Sequence, residues 1–528
     1  MAAMKSRLEL EQENRQIQDE LAEIRQQLVD KETTLEQRNA FIEQLKEALI
    51  LARNARFAAA TESLRSLQRE LFNEAESVDA ESSTDDDVNG EVNSIEVPSH
   101  QRRRGGRKPL PAELPRIEVV HELKNDERRC TEHDVDLKEI GEKVSEQLDI
   151  IPMQIQVIRH IRKQYACPCC EGHLRTAPKP KQPIEKSWAS AGLLAYIATS
   201  KYADGLPLYR LSGILNRFDI DLDRTVLANW MIRMGQLVQP LINRIEEQLL
   251  SSPVIHMDET PVQVLKEPGK SAESHSYMWV RCAGPPNQRV ILFDYDPSRS
   301  GSVPTRLLAG YQGALMVDGY EGYSALCQQS GITRLGCWVH ARRKFVETVK
   351  AQGKGKKNTK AEYAIKLIGK LYAVERHLED QRAGYDEEVF VAYRHNYRLE
   401  HAQPILAKLK KWLDETRPTV APKTALGKAL YYLDHQWPRL VRYLDDGQYP
   451  IDNNPVENAI RPFAIGRKAW MFSTSIQGAK ASANLYSLIE TAKANGLEPY
   501  AYLKTVFSKL PNITGYDDVD NLLPQNCK

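Results

Sequence analysis

The chain has 528 residues, 41% of them hydrophobic and 27% charged, with a formal net charge of +1. That length exceeds what one hydrophobic core serves, so several domains are expected. The sequence holds no run of about 18 apolar residues and residues 1–8 are polar, which argues against a membrane-spanning helix or a signal-peptide core.

Residues 4–56 contain almost no Pro or Gly and repeat with a period of 3.5. One seam runs Asn14, Leu21, Leu28, Leu35, Ile42, Leu49. The other runs Leu10, Ile17, Ile24, Lys31, Arg38, Leu45, Ala52. A sustained heptad with charged flanks predicts a coiled coil over 1–75, most simply a homodimer. Asn14 suits a register-fixing seam position, whereas Lys31 and Arg38 weaken the middle.

Residues 74–96 hold nine acids and no Lys or Arg. A segment so poor in apolar area cannot offset its ordering entropy, so 76–115 is expected as a disordered linker ending in a basic arm. The arm reads Arg104-Gly105-Gly106-Arg107-Lys108. Arg104, Arg107 and Lys108 on a glycine-flexible arm suit a narrow minor groove with its concentrated negative potential.

The chain has eight cysteines, three of them in Cys167-Pro168-Cys169-Cys170. Without a secretion signal, metal binding is favoured over disulfides. Cys130 and His133 form one pair of suitable spacing and Cys167 and Cys170 another, giving a four-ligand structural Zn²⁺ site within 116–180. Cys169 and His173 compete for the fourth position. Between the pairs, residues 144–160 alternate as strands do.

Residues 185–250 carry apolar positions at helical spacing, including Leu193, Leu194 and Ile197, then Leu211, Ile214 and Leu215. Asp223 is placed to open a later helix, in a unit shaped like a helix-turn-helix.

From 251 the pattern changes. Strands are predicted at 254–258, 277–282, 290–295, 314–317 and 334–339, with helices at 301–309, 322–329 and 341–349. Three meander strands followed by alternating helix and strand is the order of a ribonuclease-H-like α/β core. Asp258 ends the first of these strands and Asp318 follows the fourth. Residues 350–450 then read as an all-α insertion. Asn453 or Asn454 is placed to cap the next helix, Pro455 suits its first turn, and Glu457 follows.

Asp258, Asp318 and Glu457 are therefore the candidate catalytic acids, able to hold two Mg²⁺ ions for phosphodiester chemistry. An Asp at a strand end is commonly a turn residue, and Glu259, Asp294, Asp296, Glu321 and Asp452 compete on that ground. Arg342 and Arg343 follow the fifth strand, and Arg461, Arg467 and Lys468 follow Glu457. These cations are candidates for DNA backbone contacts.

Several stretches bear a resemblance that is long and specific. They are His256-Met257-Asp258-Glu259-Thr260, Val317-Asp318-Gly319-Tyr320, and Gly336 through Phe345. They continue with Asp452-Asn453-Asn454-Pro455-Val456-Glu457-Asn458-Ala459-Ile460-Arg461-Pro462, Gly466-Arg467-Lys468, and Ser487 through Pro499. Together they resemble the transposase of the insertion sequence 66 family over nearly the whole chain. The resemblance implies a multidomain protein. A coiled coil and small zinc-binding domain would precede a ribonuclease-H-like DDE core over 251–349 and 451–482, interrupted by the insertion and closed by a C-terminal element over 483–528. It implies Mg²⁺ as the catalytic ion, with Mn²⁺ able to substitute, and structural Zn²⁺. It implies binding of terminal inverted repeats, strand hydrolysis, and attack of the freed 3′-hydroxyl on target DNA. Small accessory proteins of the element are implied partners, and a bacterial cytoplasmic, nucleoid-associated location follows. Two other readings are a non-catalytic DNA-binding descendant and a ribonuclease-H-fold nuclease or resolvase. The family's zinc segment commonly offers two cysteine pairs, whereas the first pair here is Cys130 and His133.

Overall fold

A computed structural model describes residues 154–166, 174–328, 331–352, 359–513 and 515–527, together with helical residues between 15 and 49. The zinc-ligand candidates Cys130, His133, Cys167 and Cys170, their competitors Cys169 and His173, and the arm residues Arg104, Arg107 and Lys108 lie outside the described residues. Every described residue from 15 to 49 is helical, and the seam residues Leu21, Leu28, Leu35 and Ile42 are about half exposed.

Contacts divide the chain into two units, residues 86–178 and the remainder. In the smaller unit, β1 (Gln164–Ala166) and β2 (Leu174–Thr176) form an antiparallel pair. Residues 154–160 form no strand, contrary to their alternation. Val157 is 93% exposed and Ile158 58%, so among the described residues this alternation buries neither face.

From residue 179 the larger unit continues with four helices, α1 (Ala191–Tyr202), α2 (Leu208–Asn216), α3 (Arg224–Leu237) and α4 (Gln239–Leu250). Asp223 caps α3 as expected, accepting a 2.7 Å hydrogen bond from the Thr225 amide. The sheet follows, with β3 (Val254–Lys266), β4 (His275–Ala283) and β5 (Val290–Asp296) as an antiparallel meander. Then come α5 (Ser302–Leu307), β6 (Gly313–Val317), α6 (Ser324–Cys327) and β7 (Ile332–Gly336). β6 joins β3 in parallel and β7 joins β6 in parallel, giving the order β5-β4-β3-β6-β7.

Two boundaries differ from the sequence reading. β3 does not end at Asp258 but runs on to Lys266, through Pro261. β6 lines β3 only as far as His256 and β8 joins only from Val264, so the stretch between them, which holds Pro261, has an open side where a missing N–H is tolerated. The fifth strand stops at Gly336, and α7 (Trp338–Gln352) begins where the strand was expected to continue. The Gly-Cys-Trp-Val run is apolar because it is buried, and burial alone does not separate strand from helix.

Alternation along β6 shows how the sheet is covered. Leu315 and Val317 join the core formed with α1–α4 and the C-terminal helices, while Ala314 and Met316 join a second core on the opposite face. The insertion supplies α8 (Lys360–Gln381), α9 (Glu387–His401), α10 (Gln403–Thr416) and α11 (Ala425–Leu440); the second core is built from α7, α8, α10 and α11, and α9 packs against α8 and α10. A capping box at Thr359 and Glu362 starts α8. Arg398 on α9 is fully buried. It pairs with Glu375 at 2.8 Å and donates to the carbonyls of Tyr443, Asp446 and Tyr449. This one guanidinium thus fastens the return of the insertion toward the sheet.

The chain re-enters the sheet layer through α12 (Asn454–Trp470), β8 (Ser473–Ser475), which pairs with the far end of β3, and α13 (Ile476–Ala494). α13 supports the meander edge directly: Ser487 accepts from the Phe293 amide at 2.8 Å and Thr491 exchanges hydrogen bonds with Ile291. α14 (Pro499–Lys509) and α15 (Tyr516–Asp520) close the chain, the latter held by an Arg244–Asp520 pair. Among the described residues, no helix is long and apolar enough to cross a membrane.

Candidate active site

Three separate elements bring acids to one place. Asp258 lies on β3 with the same facing as His256, opposite to the core-buried Ile255 and Met257. Asp318 is the first residue past β6, and Glu457 lies in the first turn of α12. Their proximity shows in the electrostatics. Burial lifts the Asp258 carboxyl well above its ordinary range, and the negative charges of Glu259, Asp318 and Glu457 lift it further. The Glu259 amide, donating to Asp258 Oδ1 at 2.8 Å, opposes that rise only in part.

The elements are locked in register by neighbours of the acids. The sequence places Asn453 or Asn454 as a helix cap, but the Asn453 side chain makes no capping bond. It is fully buried, donates from Nδ2 to the Met257 carbonyl at 3.0 Å, and faces His256 Nδ1 with Oδ1 at 3.1 Å. With its nitrogen committed to Met257, Oδ1 must accept, so the His256 proton sits on Nδ1. Burial, and secondarily Arg289, lower the His256 pKa to about 3, keeping this ring neutral. α12 is thereby pinned to β3 one residue before Asp258 and four residues before Glu457.

Arg334 on β7 does the same for Asp318. It is 3% exposed and donates to the carbonyls of Asp318 and Tyr320 at 3.0 and 2.9 Å, while the Tyr320 amide donates to Asp318 Oδ1 at 2.9 Å. A Cβ at Gly319, between them, would lie 2.9 Å from the Tyr432 ring of the insertion, so a larger residue there must displace that ring. Glu259 is held by Arg299 at 2.7 Å and the Tyr323 hydroxyl at 2.6 Å, and its charge acts on Asp258 more strongly than those of Asp318 and Glu457.

The basic residues separate into different environments. Arg343 reaches Glu457 Oε2 at 3.4 Å. Arg342, beside it, is only 7% exposed and points into the protein rather than toward open solvent. Arg461 lies one turn past Glu457 and is partly buried. Arg467 is held by Thr260 Oγ1 at 3.0 Å and by the Pro261 carbonyl, and Lys468 is exposed.

Two further site neighbours are Cys337, to which the sequence assigns no role, and His340, which it groups with the phosphate-suited cations of the run from His340 to Lys344. Cys337, His340 and Glu457 have ligand atoms all within 4.8 Å of one another. The Cys-x2-His spacing across the start of α7 carried the signal, but it was absorbed into a basic run. Asp452 is a further neighbour, 8% exposed and raised from 3.8 to about 6, chiefly by burial.

The model for the IS66 family of transposases matches residues 186–481. The chain belongs to the IS66 transposase family. The zinc-finger domain of IS66 transposases matches 127–171, the IS66 C-terminal element matches 487–525, and a further transposase homeodomain-type model matches 44–119. The chain is 34% identical to the uncharacterized protein y4jD of Sinorhizobium fredii, over 79% of this chain and 81% of that protein. It is 31% identical to the uncharacterized protein y4qI of the same organism, over 83% and 82%. A third relative there, y4hP, is 28% identical over 89% and 85%.

Proposed function

We propose that this family member is an active DDE transposase. It would bind the terminal inverted repeats of its element, hydrolyse a strand at each end, and transfer the 3′-hydroxyl to target DNA. The observation that carries the reading is the convergence of three carboxylates from β3, the end of β6 and the start of α12, with the buried Asp258 carboxyl raised further by the charges of Asp318 and Glu457. Acids crowded so that one is pushed far up are costly unless cations share the site. The strand order, with a three-strand meander beside two parallel strands, supports a ribonuclease-H-like core split by the insertion.

The donor set fits hard divalent cations. Asp258, Asp318 and Glu457 offer carboxylate oxygens, and among the described residues Glu457 Oε1 is a buried oxygen with no hydrogen-bond partner. When bound, a pair of Mg²⁺ ions would supply Lewis acidity to the attacking and leaving oxygens of an in-line displacement. The chain's own residues hold the geometry. Asn453 fixes α12 against β3, Arg334 fixes the turn carrying Asp318, and Arg343 steadies Glu457. Arg461, Arg467 and Lys468 lie along α12 beyond Glu457, on the path where a DNA backbone would continue. Arg104, Arg107 and Lys108 would add minor-groove contacts, and Cys130, His133, Cys167 and Cys170 would hold structural Zn²⁺. The coiled coil over 1–75 would bring two copies together, as two element ends require.

Strand cleavage tests the reading. Full-length protein is mixed with labelled element-end DNA in Mg²⁺ or chelator, beside Asp258→Asn, Asp318→Asn and Glu457→Gln. Metal-dependent nicking at the repeat end is expected, lost in every variant while DNA binding persists. A variant that nicks at a near-normal rate removes its residue from the site. Binding without nicking, even with the element's accessory proteins present, overturns the catalytic reading.

A further inference from the structure

We propose that Cys337, His340 and Glu457 form a second metal site, one for a thiophilic divalent cation of the Zn²⁺ type, and that its occupancy takes Glu457 out of the acid trio. The inhibitory consequence rests on the catalytic reading of Glu457; the binding site itself does not.

Three observations carry the site. The ligand atoms of the three side chains lie within 4.8 Å of one another. A tetrahedral Zn²⁺ with bonds of about 2.0–2.3 Å places its ligand atoms roughly 3.3–3.6 Å apart, a small side-chain adjustment away. His340 Nδ1 and Glu457 Oε1 already face each other at 3.7 Å. Among the described residues, neither of these two buried atoms has a hydrogen-bond partner, so both are prepared to bind something between them.

The Cys337 sulfur is also dressed as a metal thiolate would be. The Asn453 amide donates to it at 3.3 Å and the His340 amide is directed at it as well. Amides of this kind stabilise charge on sulfur. Without an ion the thiol stays protonated in its buried place. On binding, the S–H proton leaves to solvent and a metal–sulfur bond replaces it, so the site tightens as pH rises.

The chemistry separates this site from the acid trio. Carboxylates alone favour Mg²⁺, whereas a sulfur and an imidazole favour Zn²⁺ or Co²⁺ and bind Mg²⁺ weakly. Glu457 is common to both. One carboxylate turned toward Cys337 and His340 is withdrawn from Asp258 and Asp318. A rise in free thiophilic metal would thus silence cleavage without touching DNA binding.

The test uses the full-length protein and Co²⁺ as the probe. Wild type, Cys337→Ser and His340→Gln all keep the zinc-finger segment, so differences between them report the new site alone. Wild type should bind one more Co²⁺ per chain than either variant, and Cys337→Ser should lose part of the sulfur-to-cobalt charge-transfer absorption. Equal stoichiometry in wild type and in folded variants, checked by circular dichroism, overturns the site. Should Cys337→Ser fail to fold, His340→Gln decides, because its side chain is partly exposed. The count needs no cleavage, so it stands apart from failure of the catalytic reading. Zn²⁺ titrated against Mg²⁺-supported nicking then tests the consequence, each protein scaled to its own rate in Mg²⁺ alone. Half-inhibition should need at least about tenfold more Zn²⁺ in Cys337→Ser. An unchanged half-inhibition concentration overturns the withdrawal of Glu457.

Discussion

Replacing Asn453 with Ala should both destabilise the protein and slow cleavage, although Asn453 touches neither metal nor DNA in the proposed mechanism. The side chain is fully buried and makes two hydrogen bonds, to the Met257 carbonyl at 3.0 Å and to His256 Nδ1 at 3.1 Å. Alanine leaves both partners buried. Each unsatisfied group costs about 1–3 kcal/mol, so the loss should be about 2–6 kcal/mol. Denaturant unfolding measures it as a lower midpoint at unchanged slope. The same bonds set the distance from α12 to β3, so Glu457 should drift relative to Asp258. A displacement near 1 Å at a reacting site costs on the order of a hundredfold in rate. Single-turnover nicking at saturating Mg²⁺, under conditions where the variant is fully folded, reads that loss. A variant with the wild-type midpoint and the wild-type rate would refute the claim that this side chain registers the site.

Asp452 offers a pH test. Its carboxyl is raised from 3.8 to about 6, mainly by burial, so the folded state holds the proton more tightly than the unfolded chain. That stabilisation is complete below pH 3.8 and is lost as pH rises through about 6, a change of up to about 3 kcal/mol. Asp452→Asn should therefore gain stability relative to wild type between pH 4 and pH 8, and parallel stability curves would count against it. Removing the buried Arg398 side chain as Arg398→Met strands the carbonyls of Tyr443, Asp446 and Tyr449 and leaves Glu375 with Arg394 alone. A loss of about 3–5 kcal/mol is expected in thermal or chemical unfolding, and a loss under 1 kcal/mol would show that the insertion's return is held by other contacts. Changing Cys167 and Cys170 together to Ser should lower zinc content and weaken binding to element ends; zinc content equal to wild type would discard those two ligands.

The sequence by itself determined the element order of the sheet region and marked the three candidate acids that its elements carry. Asp258, Asp318 and Glu457 each follow or sit within a local pattern that survives without neighbours: an apolar strand run for the first two, and a Pro-opened helix for the third. The Asp223 cap and the helices of the insertion were legible for the same reason, since caps and 3.6-residue periodicity are local.

Only the tertiary structure decided what is set by packing between distant segments. Asn453 carries the sequence mark of a cap, yet its amide is spent on Met257 and His256, nearly two hundred residues away. β3 runs through Pro261 because β6 leaves one side of it open beyond His256. Cys337 and His340 read as an apolar residue and a member of a basic run until α12 sets Glu457 against them. Arg342 shares its run with Arg343, but the helix turns one inward and the other toward Glu457. Local pattern fixes which way a chain turns; which distant groups then share a face depends on contacts whose partners no local pattern names.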